Sequence, residues 1–118
     1  MNTTYNALIV PAPLTQPVRI ETVDTVMAAL QKLVAGNIES ITSRDWHVYL
    51  NDEGPRLPQN ARAEVLIREA GVYLDDTLNG TAVFLGHGSR GDESDAPRHL
   101  IRLAEQHFDV PLVGSGTP

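Results

Sequence analysis

The residues best able to do chemistry lie in FLGHGSRGDES, residues 84–94. An apolar run opens there into Gly-His-Gly-Ser-Arg-Gly and then into acidic residues. Three chemistries suit those residue types. The imidazole of His87 can ligate a metal ion, with oxygen donors from Asp92, Glu93 or Asp95. The backbone amides of a glycine-rich turn, with Arg90 beside them, can cradle a phosphate. Ser89 can serve as a nucleophile if a base and an orienting acid stand next to it.

Each chemistry meets an obstacle in the spacing. His99 and His107 are eight residues apart, about 12 Å along a helix, so an intact helix keeps them from sharing one ion. The four histidines contain no HxH or HxxxH pair. No GxxxxGK[ST] motif is present, and the carboxylates after Arg90 would repel a phosphate. Ser89 is two residues from His87, too close for both side chains to converge easily on one point. His47 alternates with Trp46 and Val48, which places it at an exposed or edge position of a strand. The GHGSR stretch is similar to the opening motif of the small cobalt and iron chelatases of tetrapyrrole synthesis. That likeness covers five residues, and the α/β repeats of those enzymes have little room after Gly86. The expected reading is a flexible exit from a buried strand into a solvated acidic linker, with no cofactor and no enzymatic activity.

A second polar group lies in VYLNDEGPRLPQN, residues 48–60. Asn51, Glu53 and Asn60 can shape turns and cap a helix, or they can line a polar pocket for a ligand or partner. With them, His87, Ser89 and Arg90 are the candidate binding residues. Trp46 and Tyr49 are candidate aromatic anchors, although Trp46 also suits a core, and Tyr73 with Leu74 precedes an acidic turn. If the 51–60 and 86–95 loops border one cavity, ligand binding gains weight.

The elements that must position these groups follow from periodicity. Tyr5–Val10 is an apolar, β-prone run stopped by Pro11 and Pro13. Residues 17–21 alternate as a half-buried strand does. Val23, Val26, Met27, Leu30, Leu33 and Val34 recur at helical spacing, which predicts a helix over 23–35 with Thr22 as N-cap and Gly36 as the left-handed stop. NIESITSRDWHVYLN reads as a β-hairpin turning at residues 42–45, with Trp46, Val48 and Leu50 on one face and His47 and Tyr49 on the other. A second helix is expected over 61–70, capped by Asn60 and closed by Gly71, with Ala63, Leu66, Ile67 and Ala70 inward. TAVFLG is a buried strand, and a third helix runs from Pro97 to Phe108. Four or five strands with two or three short helices, lacking regular βαβ alternation, indicate an α+β fold with a mainly antiparallel sheet covered by helices on one face. Residues 1–110 form one domain in this reading, and 111–118 a flexible tail.

Composition bounds the partners. Of 118 residues, 42% are hydrophobic and 20% charged, a balance of a globular chain rather than a disordered or membrane-spanning one. The absence of cysteine excludes disulfides and thiolate ligands. The N-terminal apolar run is too short for a secretory signal and lacks a basic lead. A net charge of −6 disfavours direct nucleic-acid binding, which requires basic residues at the phosphates. The hairpin edge admits a two-fold dimer.

From end to end the chain resembles a family of short phage and actinobacterial proteins known as domain of unknown function 3846. ALIVPA, LVAGNIESI, VYLNDEGPRLPQNARA and LNGTAVFLG carry the likeness, over about residues 5–87. It implies phage origin and a life in the host cytoplasm, and it assigns no catalytic residue. The expectation is a non-enzymatic protein that binds a host or phage macromolecule. The alternatives are a binder or sponge for a nucleotide signal, and a metal-dependent enzyme built on His87.

Overall fold

The computed structural model describes residues 3–88 and 92–108. The strands are β1 (Thr4–Val10), β2 (Arg19–Asp24), β3 (Ile38–Thr42), β4 (Trp46–Asn51), β5 (Ala82–His87) and β6 (Glu93–Ser94). The helices are α1 (Met27–Val34), α2 (Ala61–Glu69) and α3 (Arg98–Phe108), with a single 3₁₀ turn at Gly54–Arg56. All pairings are antiparallel, in the order β2-β1-β5-β4-β3, and β6 adds to β5. The fold is α+β. Residues 111–118, expected to be a flexible tail, lie outside the described residues, as do Ser89 and Arg90.

The central strand β5 is buried from Ala82 to Gly86, which explains its continuous apolar run, since both its faces are covered. Alternation along β1 sends Leu8 and Val10 to one core and Ala7 and Ile9 to the other. The larger core lies under α2 and α3: Leu66, Ile67, Leu100 and Ala104 close over Trp46, Val48, Leu50 and Phe84. The Trp46 and Phe84 rings are tilted at 5.8 Å, and Trp46 is 1% exposed. On the other face Val34 of α1 packs over Ile9, Val23, Val83 and Leu85. Helices therefore cover both faces of the sheet, not one. Ile9, Val23, Val83 and Leu85 need cover on the α1 side, so a single helical layer would leave that core open to water.

The helix read from residue 23 starts later, at Met27. Tyr5 pairs with Val23 and Thr4 with Asp24 across the β1–β2 hairpin, so tertiary pairing overrides a helical period that Val23 and Val26 only mimic. The N-cap is Val26, with no side-chain cap bond, rather than Thr22; the Val26 N–H donates to Asp24 Oδ1 at 3.0 Å. The left-handed residue that ends α1 is Ala35, at φ 64°, not Gly36. Gly36 is small for another reason: a Cβ there would come within 2.6 Å of Asn51 Nδ2. The hairpin, the second helix and the third helix stand where the periodicity placed them. Among the described residues no helix is long and apolar enough to cross a membrane.

Candidate functional site

His87 ends β5 on the α1 side of the sheet, where it meets His47 of β4. Their rings lie edge to face with centroids 5.5 Å apart, and Tyr49 packs on His47 at 4.9 Å. The two-residue strand β6 brings Glu93 opposite His87. The Glu93 carboxylate takes one hydrogen bond from His47 Nε2 and one from the Tyr49 hydroxyl, each at 2.6 Å. Burial, then the hydrogen bond to Glu93 and its charge, push the Tyr49 phenol far above its usual range. Tyr49 thus stays a donor. His47 is 6% exposed, which corrects the expectation of an exposed or edge histidine.

β6 depends on Gly86. Any Cβ at that position would collide with Ser94 Oγ and the Asp95 carbonyl. Gly86, Gly88 and Gly91 stand at GxGxxG spacing, but the dinucleotide fingerprint needs a helix directly after the glycines. Here Glu93–Ser94 returns to β5 as a strand. The acidic stretch is therefore partly structural rather than a solvated linker: Glu93 turns inward, and Asp95 accepts from Asn6 N–H at 2.8 Å. His87 Nδ1 is buried with no hydrogen-bond partner among the described residues. No three His, Asp or Glu side chains among those residues are disposed to hold one metal ion. His99 instead pairs with Asp45 at 2.7 Å, and His107 with Glu69 at 3.3 Å.

The 51–60 segment is mostly a set of fasteners. Asn51, 4% exposed, donates to the Val34 and Ala35 carbonyls at the end of α1 and accepts from Glu53 N–H. Asn60 is fully buried. Its oxygen caps α2 by accepting from Ala63 N–H at 3.0 Å, and its amide donates to the Val10 and Gly80 carbonyls at 2.8 Å. Glu64, unremarkable in sequence, is 6% exposed and accepts from Leu78 N–H and the Gln59 amide. Arg62 was also missed: its Nη2 donates to the carbonyls of Pro11, Pro13 and Gln16. Burial lowers its pKa from the ordinary value. PAPLTQP offered the only hint, a proline-rich turn with carbonyls left over.

The structure opens elsewhere. A cleft of about 720 Å³ lies between the β3–β4 hairpin and the 74–79 turn. Its apolar lining is Ile41, Leu50, Leu74 and Leu78, and its charged lining is Glu39, Asp52, Asp75 and Asp76. All four carboxylates are on exposed residues, and none forms an ion pair or side-chain hydrogen bond among the described residues. Elsewhere Glu21, Glu64, Glu69, Glu93 and Asp45 all have basic partners. Glu53 is exposed between two lining residues, Asp52 and Gly54. Asn51 borders the cleft, whereas Asn60 and Trp46 do not, and none of the described residues of 86–95 takes part. Among the described residues the two loops therefore do not border this cavity together, and Trp46 is sealed in the core rather than presented to a partner. Tyr73, 85% exposed, stands beside the lining residue Leu74.

The signal for this cleft was visible in part. Asp75 and Asp76 follow Tyr73-Leu74 in a polar turn, but only the fold brings them opposite Glu39 and Asp52. A search of curated proteins and one of solved structures returned no match. A family model does match, over residues 6–109, which takes in α3 beyond the 5–87 span legible in the motifs. The chain belongs to the family described as domain of unknown function DUF3846.

Proposed function

We propose that the protein is a non-enzymatic binding protein whose cleft receives a positively charged stretch of a partner macromolecule. The observation that supports this most is the set of four unpaired carboxylates around an apolar floor in a cavity of about 720 Å³. Cavities of this size are in the usual range for ligand sites. Like charges gathered at its rim raise the local concentration of a cationic partner and speed its approach. Tyr73, exposed and next in the chain to the lining residue Leu74, offers a ring on which a Lys or Arg head can rest. The partner in this reading is a host or phage protein met in the host cytoplasm, as the likeness to short phage proteins suggests.

The same carboxylates repel phosphates, so nucleic acid and a nucleotide signal are poor occupants. A catalytic role for the His87 cluster draws little support from its geometry. Both Glu93 oxygens are already taken, by His47 and Tyr49. The test is titration of an oligolysine peptide followed by fluorescence anisotropy. Affinity should fall at least about tenfold between roughly 0.05 and 0.3 M salt. Asp75→Asn combined with Asp76→Asn should weaken it by a further threefold to tenfold, roughly. Binding that ignores both salt and the double substitution overturns the reading.

A further inference from the structure

The cleft reaches over an unpaired sheet edge. β3 is the terminal strand, bonded to β4 on one side and to no strand on the other among the described residues. Glu39, Ser40 and Ile41 are consecutive and all line the cleft. Successive side chains alternate between faces. Glu39 and Ile41 stand opposite Leu50 and Val48 on the cleft face, whereas Ser40 stands opposite Tyr49 on the α1 face. Ser40 therefore contributes from the strand's rim, and the cavity wraps over the free main chain.

The hydrogen-bond alternation says which main-chain groups are free. Ser43 N–H donates to the Trp46 carbonyl at 2.8 Å and Asp52 N–H to the Asn37 carbonyl at 3.0 Å. Between these bonded pairs the register runs Glu39↔Leu50 and Ile41↔Val48 in the same phase. Glu39 and Ile41 thus face their amides and carbonyls toward β4. Ile38, Ser40 and Thr42 face theirs outward, three donors and three acceptors in a row.

We propose that the partner's cationic stretch binds in extended form, as an added strand on the outer edge of β3. It bonds to Ile38, Ser40 and Thr42 and sends every second side chain into the cleft. This rests on the cleft reading above and specifies how the occupant is held. Strand addition draws affinity from main-chain bonds and selectivity from pockets for alternate side chains. The edge and the cavity supply those two parts, and the carboxylates choose the occupant: a segment alternating Lys or Arg with small or β-branched residues. A second copy of this chain fits poorly. Two β3 edges joined antiparallel would bring two acidic clefts together, in a molecule of net charge −6. Residues 109–118, DVPLVGSGTP, contain no Lys or Arg either.

The experiment uses an octapeptide of alternating Lys and Thr, and the same peptide N-methylated at every second residue. Amide hydrogen exchange is read by NMR on the full chain. The unmethylated peptide should slow exchange at Ser40 and Thr42 by at least about tenfold while leaving Glu39 and Ile41, already bonded to β4, unchanged. N-methylation should weaken binding about tenfold or more. Ser40→Pro should do the same, because proline removes one outward donor and is tolerated at an edge; Trp46 fluorescence checks that the variant is folded. Equal binding of both peptides, with Ser40 and Thr42 unprotected, overturns strand addition. If salt dependence persists in that case, the cleft reading survives alone. If the unmethylated peptide fails to bind, both fall. Protection of Ser40 and Thr42 that grows with protein concentration, without peptide, makes a second copy the occupant and overturns the proposal.

Discussion

Asn60 joins three stretches of chain through one side-chain amide: its own helix, the end of β1 at Val10 and the Gly80 turn. Asn60→Ala removes a helix cap and strands two buried carbonyls, so it should cost about 3 kcal/mol in chemical denaturation. A cost near the ~1 kcal/mol of a surface cap would mean that the two donated bonds count for little. The cap was legible in sequence because it works at a fixed offset of three residues. The bonds to Val10 and Gly80 were not, since they span 50 and 20 positions. Tyr49 carries a second prediction. Its pKa is raised above the ordinary 10.0 by burial and by Glu93, so the folded state holds the phenolic proton more tightly than the unfolded state does. The stability contributed by the Tyr49–Glu93 bond is then complete below about pH 10 and declines as pH rises beyond it. Tyr49→Phe should flatten that alkaline decline while lowering stability near neutral pH by about 1–2 kcal/mol. An alkaline limb identical in wild type and variant would exclude Tyr49 as its source.

β6 is the shortest strand and the least predictable. Nothing in GDES announces it, because two residues cannot display a period. Its existence turns on the missing side chain at Gly86. Gly86→Ala should push Ser94 and Asp95 off β5 and cost about 1–3 kcal/mol. It should also raise exchange at Gly88 and Ala96, whose amides donate to Asp92 and Asn6. Unchanged exchange at those two amides would contradict the role given to Gly86. By contrast β5, the β3–β4 hairpin and α2 were readable, because TAVFLG is uniformly apolar, Trp46-Val48-Leu50 alternates, and Asn60 and Gly71 bracket a helical stripe. α1 misled by four residues: Val23 and Val26 satisfy a helical spacing, yet Val23 is held in β2 by Tyr5. Local pattern could not register that pairing partner.

The molecule is one antiparallel sheet with a core on each face, and its two polar regions lie at different places on it. In the histidine cluster on the α1 side Glu93 answers both His47 and Tyr49, and of the buried side-chain atoms there only His87 Nδ1 lacks a partner among the described residues. The cleft beside β3 keeps its carboxylates unanswered. That difference could not be read from the chain, where HGSRGDES looks far more chemical than Glu39, Asp52 and Asp75-Asp76 scattered over two loops and a strand. Charge repulsion within the cleft also implies a test of stability. Asp75→Asn with Asp76→Asn should leave stability unchanged or raise it by about 0.5 kcal/mol at low salt, even as it weakens cationic binding. A clear loss of stability would mean these aspartates support the fold. Occupancy of the cleft is read most directly by mapping backbone amide shifts while oligolysine is titrated into the protein. Changes should be confined to residues 39–42, 50–54 and 73–79 and should fade as salt is added. Changes centred instead on His47, His87 and Glu93, or spread evenly over the surface, would contradict that occupancy.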